Sequence, residues 1–172
     1  MRNFPWKAFA AGGLVLGVAS FILRTKHPEP KARRVALIGD SYAQGLGREL
    51  KKLLPDFKYE GVQGIPARRY VVPAWVATFK PDLMLVSLGT NDGQNPDRND
   101  LIEVVRQLHA AGIRTSENIV WLAPPNGVNV PRLRDLITTL GVRVMPAPTT
   151  PLSNLHPIDY APWAREIAQA VT

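Results

Sequence analysis

From residue 35 onward, short apolar runs alternate with longer amphipathic stretches, and this alternation limits the folds open to the chain. The apolar runs predict five strands, within residues 34–40, 57–64, 81–92, 118–125 and 142–148, of which the first is expected to be buried. The amphipathic stretches predict helices between and after them, within residues 41–55, 71–79, 97–112, 130–141 and 156–171. Strands separated by helices of this length predict a parallel sheet covered by helices on both faces.

The charge of the chain is concentrated at its N-terminus. Of the 21 Lys and Arg residues, seven lie in residues 1–34 against a single acidic residue, which leaves 14 basic and 13 acidic residues in 35–172. The nearly neutral remainder lacks the basic surface that binding to a nucleic-acid backbone needs, so a nucleic-acid partner is not expected. We therefore predict two parts, an N-terminal segment (1–34) and one globular domain (35–172).

Residues 8–23 form an uncharged run of 16 residues between Lys7 and Arg24. As a helix it would span about 24 Å, short of the roughly 30 Å hydrocarbon core unless the flanking cations reach the interface. An uncleaved membrane anchor is favoured over a cleaved signal peptide, because cleavage after 18–20 would leave an apolar new N-terminus. The prediction is an N-terminal hydrophobic helix that associates with a membrane, followed by a basic linker.

The side of the membrane on which the domain lies is not settled by the sequence, and the extracytoplasmic side is only slightly favoured. Two basic residues precede the run and five follow it, which by the positive-inside rule favours a cytoplasmic domain, whereas an envelope enzyme would favour the extracytoplasmic side. The chain has no cysteine, which is compatible with either side and excludes disulfides and a thiolate metal site.

Polar residues follow the first three predicted strands. Asp40 and Ser41 come after the first, Gly64 after the second, and the sequence GTND (89–92) after the third. Because the carboxyl ends of parallel strands share one edge of a sheet, we expect these groups to converge there.

The ordered set GDS (39–41), Gly64, GTND (89–92) and HP (156–157) resembles the SGNH hydrolases, also called the GDSL-like esterase and lipase family. The resemblance covers roughly residues 35–172. It implies a three-layer α/β/α sandwich around a parallel, flavodoxin-like five-stranded sheet, and a serine esterase that needs no cofactor or metal.

The resemblance also assigns roles to residues. Ser41 would be the nucleophile and His156 the base that takes its proton, since a serine hydroxyl needs such activation. The backbone amides of Ser41 and Gly64 and the side-chain amide of Asn91 would form the oxyanion hole. Asp40 and Asp92 would support the surrounding loops.

Each of these residues also has a structural alternative. Ser41 could only cap its helix, and we expect it to do so in addition to reacting. Gly64 could serve a turn with positive φ, Asn91 and Asp92 could be ordinary turn residues, and His156 could be a loop histidine. The alternatives explain the residues singly but not their joint order.

One position departs from the family pattern. The aspartate that commonly precedes the histidine by three residues is Ser153 here. The histidine could then be oriented by Ser153, by Asp159 or by a backbone carbonyl, with lower activity than a complete triad.

The expected substrate is a short-chain acyl ester, such as an acetyl group on cell-envelope carbohydrate or peptidoglycan, because no lid insertion is evident. Arg68 and Arg69 could meet an anionic substrate near Gly64. The alternative is a non-catalytic, membrane-tethered binding or structural module of the same fold.

Overall fold

The computed structural model describes residues 33–93, 96–125, 130–147, 152–153 and 156–172. Five strands form a parallel sheet in the order β2-β1-β3-β4-β5: β1 Val35–Gly39, β2 Phe57–Gly61, β3 Leu83–Ser87, β4 Ile119–Leu122 and β5 Arg143–Met145. Five helices accompany them: α1 Ser41–Leu53, α2 Trp75–Phe79, α3 Arg98–Ala110, α4 Val130–Thr138 and α5 Ala161–Val171. This flavodoxin-like strand order confirms the predicted parallel sheet.

Both faces of the sheet are buried, and the alternation of side chains along β1 shows how. Ala36 and Ile38 belong to one hydrophobic cluster, whereas Val35 and Leu37 belong to a second one on the opposite face. Apolar residues of α2, α3 and α4 complete the first cluster, and those of α1 and α5 complete the second. The described core is therefore a three-layer α/β/α arrangement.

Helix α1 begins immediately after β1, and Asp40 rather than Ser41 is its N-cap. The Asp40 carboxylate accepts a hydrogen bond from the backbone N–H of Tyr42 at 3.0 Å. A carboxylate at this position satisfies an amide that has no partner within the helix. The expectation that Ser41 caps the helix is therefore wrong, because Asp40 occupies the N-cap position and the Ser41 hydroxyl does not serve as the cap.

Helix α5 begins at Ala161, five residues later than predicted. Before it, β6 (Leu152–Ser153) and β7 (His156–Pro157) form a short antiparallel pair in which Ser153 lies opposite His156. The Asp159 carboxylate accepts from the Ala161 N–H at 2.8 Å and so fixes the start of the helix. The apolar periodicity that predicted the helix is present, since Trp163, Ala164, Ile167 and Val171 are buried.

The predicted N-terminal hydrophobic helix (8–23) lies outside the described residues. Within the ranges that the structure describes, no helix combines the length and apolar character needed to cross a bilayer.

Candidate active site

Ser41 and His156 meet at the edge of the sheet where β1 ends. The Oγ atom of Ser41 lies 3.4 Å from Nε2 of His156, although the residues are 115 positions apart. Packing of α5 against α1 in the second core cluster brings the segment before α5 over the first turn of α1. The fold thus holds a hydroxyl next to a potential base, at a distance that can tighten when substrate binds.

Two tyrosines hold the imidazole ring of His156. The Tyr160 hydroxyl lies 2.8 Å from Nδ1, and the buried Tyr42 ring lies 4.8 Å from the imidazole, centroid to centroid, with 33° between the planes. Tyr42 in turn meets Trp163 of α5 edge to face, which ties the ring of His156 to the core.

Gly45 of α1 gives Tyr160 the space it occupies. A Cβ atom added at Gly45 would overlap the Tyr160 ring, so any other residue would displace the phenol. Glycine weakens a helix interior by about 1 kcal/mol relative to alanine, and here the missing side chain permits close packing. Gly45 is therefore part of the structure that orients His156.

Neither side chain predicted to orient His156 takes that position. Ser153 is the cross-strand neighbour of His156 but its side chain is exposed, and the Asp159 carboxylate accepts from Ala161 N–H. Tyr160, which was not predicted to contact His156, is at Nδ1 instead. The available signal was Gly45, because a glycine inside a predicted helix often marks a close packing contact.

The character of the Tyr160 contact follows from its protonation state. Desolvation by burial raises the pKa of Tyr160 well above its usual range, so the phenol is neutral at physiological pH. For Nε2 to accept the Ser41 proton, Nδ1 must carry the imidazole hydrogen and donate it to the phenol oxygen. Tyr160 can therefore accept from Nδ1–H in the tautomer that leaves Nε2 free for the Ser41 proton, without supplying the negative charge of an aspartate.

Asp40, adjacent to the nucleophile, is completely buried. Its Oδ1 atom accepts from Tyr42 N–H at 3.0 Å and from the Ser87 hydroxyl at 3.3 Å, while desolvation outweighs these bonds and raises the pKa of Asp40 to about 7. Its hydrogen bonds join the first turn of α1 to the end of β3.

The remaining motif residues lie in the loops beside this corner. The Asn91 amide nitrogen is 3.5 Å from Oδ2 of Asp40 and 3.3 Å from the Ile65 carbonyl oxygen, both long contacts. The Asp92 carboxylate accepts from Ala67 N–H at 2.9 and 3.1 Å and so joins this loop to the one after β2. Gly64 is exposed with φ +69, the left-handed conformation that favours glycine.

A small open cleft of about 230 Å³ contains the Ser41–His156 pair, and it is lined by Ser41, Gln44, Gly45, Arg48, Gln63, His156 and Tyr160. A larger depression of about 600 Å³ lies at the opposite edge, among residues that precede the strands, such as Arg34 and Asp82. Sites in parallel sheets form at the carboxyl ends of strands, which favours the smaller cleft. Among the described side chains, no three His, Cys, Asp or Glu residues gather as metal ligands.

Comparison with known proteins gives matches among solved structures alone; no protein-family model and no curated sequence matches the chain. A family two carbohydrate esterase from Clostridium thermocellum, solved in complex with cellohexaose, superposes with a TM-score of 0.60 at 15% identity. The match covers 84% of this chain, which spans 65% of that esterase.

Two further structures are similar. A Streptococcus pneumonia protein described as a platelet activating factor gives a TM-score of 0.54 at 15% identity. That match covers 85% of this chain and 87% of the Streptococcus protein. A protein described as a GDSL-like lipase from Bacteroides ovatus gives a TM-score of 0.53 at 13% identity. That match covers 80% of this chain and 51% of the Bacteroides protein. The described domain therefore shares its fold with these three proteins, of which one is a carbohydrate esterase and another is described as a GDSL-like lipase.

Proposed function

We propose that the protein is a serine esterase that removes a short acyl group, most simply acetyl, from carbohydrate of the cell envelope. The observation that carries this proposal is the approach of Ser41 Oγ to His156 Nε2 in an open cleft at the carboxyl edge of the sheet. The fold shared with ester hydrolases supports the same reaction class.

In the proposed reaction Ser41 Oγ attacks the acyl carbon while its proton moves to His156 Nε2. The ester C–O bond then breaks, and the imidazolium returns the proton to the departing alcohol. Water attacks the acyl-enzyme in the same way and releases the acid and free Ser41. The Ser41 and Gly64 amides and the Asn91 side chain would stabilise the oxyanion, and the helix N-terminus at Ser41 favours negative charge there.

The two tyrosines would replace part of what a triad aspartate supplies. Tyr160 would accept from Nδ1–H when Nε2 takes the Ser41 proton, and the Tyr42 ring face would stabilise the imidazolium because a cation within about 6 Å of an aromatic centroid is attracted to it. A neutral phenol gives weaker stabilisation than a carboxylate, so we expect a functional but modest esterase.

The choice of substrate rests on the size and polarity of the cleft. About 230 Å³ of space, lined by amide and charged side chains, suits a small acyl group and a polar alcohol better than a lipid chain. One structural neighbour is a carbohydrate esterase solved with cellohexaose, which supports a carbohydrate substrate. We also propose that residues 8–23 attach the domain to a membrane, on the strength of their uncharged sequence between two cations.

A fluorophosphonate probe, which reacts with activated serines, tests the proposal directly. The full chain, Ser41→Ala and His156→Ala are each treated, and the adduct is mapped by mass spectrometry. We expect modification of Ser41 that is lost in both variants. A folded wild-type protein that gains no adduct on Ser41 would contradict the esterase assignment and favour the tethered binding module.

A further inference from the structure

One wall of the candidate cleft carries a positive charge that the proposed reaction does not use. Arg48 lines the cleft together with Gln44 and Gln63, whose side-chain amides can both donate and accept hydrogen bonds. Arg48 lies two turns beyond Ser41, and positions 41, 44, 45 and 48 share one face of α1. At about 1.5 Å per residue, its Cα is about 10 Å from that of Ser41 along the helix axis.

The other cations near the end of α1 are already engaged. Lys51 donates to the Phe57 carbonyl oxygen at 2.8 Å, and Lys52 pairs with Glu49 at 2.7 Å. Arg48 is exposed, and within the described part of the chain no carboxylate lies within ion-pair distance of it. No Asp or Glu is among the described residues that line the cleft, so Arg48 gives that lining a net positive charge.

We propose that Arg48, with Gln44 and Gln63, forms a subsite for an anionic group on the alcohol portion of the ester. This inference rests on the proposed function, because the ester is placed by the Ser41–His156 pair. A carboxylate or phosphate about one sugar unit from the acyl oxygen would reach the guanidinium, which pairs with either group through two parallel hydrogen bonds. The substrate class is therefore an acyl ester of an anionic carbohydrate.

Arg48 differs in position from the arginines that the sequence analysis considered. Arg68 and Arg69 lie in a 3-10 turn, Ala67–Arg69, and neither lines the cleft. Arg68 acts electrostatically on Asp100 of α3, on the other face of the sheet. The cation that a substrate would meet is on the nucleophile's own helix.

Two acetate esters of coumarins, one with a carboxylate and one uncharged, test the subsite. The ratio of kcat/KM for 7-acetoxycoumarin-3-carboxylate to that for 7-acetoxy-4-methylcoumarin is measured with the full chain and with Arg48→Gln. We expect this ratio to fall about fivefold in Arg48→Gln, and to be partly restored in Arg48→Lys, as for a solvent-accessible ion pair. The wild-type ratio should fall with added salt, whereas that of Arg48→Gln should not.

Lys52→Gln is the matched control, because it removes one positive charge from the same helix outside the cleft. A ratio unchanged in Arg48→Gln, or lowered equally in Lys52→Gln, would refute the subsite. Failure of the esterase proposal is distinguishable, because neither ester would then be hydrolysed. In that case fluorescence anisotropy of 7-hydroxycoumarin-3-carboxylate decides: weaker binding to Arg48→Gln than to Lys52→Gln supports the subsite, and equal binding refutes it.

Discussion

Replacing Tyr160 with phenylalanine tests how His156 is oriented. The substitution removes the oxygen 2.8 Å from Nδ1 and keeps the ring that packs over Gly45. A hydrogen bond of this kind contributes about 0.5–1.5 kcal/mol net, so its loss should lower kcat/KM about two- to tenfold. Loss of a triad carboxylate would lower kcat/KM far more, because a carboxylate stabilises the imidazolium by its negative charge and the neutral phenol does not.

The decrease should appear in kcat, with KM nearly unchanged, because Tyr160 acts through His156 and not on ground-state binding. The rate of Ser41 modification by fluorophosphonate should fall in parallel. Nitrogen-15 NMR of the imidazole should show a hydrogen-bonded Nδ1 in the wild type and loss of that hydrogen bond in Tyr160→Phe; with three histidines in the chain, assignment is practicable. Tyr59→Phe, which alters a phenol stacked on Phe57, serves as the control.

Gly45→Ala perturbs the same contact from the other side. Alanine normally stabilises a helix interior relative to glycine by about 1 kcal/mol, but here its Cβ would displace the Tyr160 ring. We expect a loss of activity similar to that of Tyr160→Phe, and a double variant no worse than either single one. Full activity in both single variants would refute the idea that Tyr160 orients His156.

Three further results are expected. Asn91→Ala should lower kcat about 10²- to 10³-fold, with fluorophosphonate labelling slowed in step, if its amide stabilises the oxyanion; an unchanged kcat would exclude that role. In the Tyr160→Phe background, Ser153→Asp should recover activity, because the new carboxylate lies directly across the β6–β7 pair from His156; no recovery would argue against that geometry. Asp40→Asn should change the pH dependence of stability. Folding raises the pKa of Asp40 from 3.8 to about 7, so the bound proton stabilises the folded state fully below pH 3.8, and this stabilisation is lost as pH rises through 7. The unfolding free energy of the wild type relative to Asp40→Asn should thus fall by about 4 kcal/mol between pH 4 and 8 in urea titrations, and a constant difference would contradict the raised pKa.

The sheet could be predicted because local sequence and burial agree there. The three central strands β1, β3 and β4 are short apolar runs buried along their whole length, as parallel strands with helices on both faces must be. The start of α5 could not be predicted from its apolar pattern. The apolar period of α5 extends back past its first turn, whereas the backbone pairing of Ser153 with His156 holds that segment extended.

The reactive pair could be expected from the ordered motifs, whereas the groups that orient it could not. Ser41 follows β1 directly, so its place at the sheet edge depends on local sequence alone. The position of Tyr160 depends on how closely α5 approaches α1, and that distance is set by the absent side chain of Gly45. A contact between segments more than a hundred residues apart leaves no periodic signal in either segment.

Helix α1 connects the reactive group, its support and the proposed charge recognition. Its buried face, which includes Leu46 and Leu50, packs on the sheet, and its cleft face carries Ser41, Gly45 and Arg48 at spacings of three or four residues. Because these two faces are rigidly related, the core contacts of α1 fix where the nucleophile, the tyrosine contact and the cation lie relative to one another. Inserting one residue after Gly45 would turn Arg48, and with it the buried Leu46 and Leu50, by about 100° relative to Ser41. The core contacts that place Arg48 beside the cleft therefore also place the nucleophile, so charge recognition and catalysis depend on the same packing of α1.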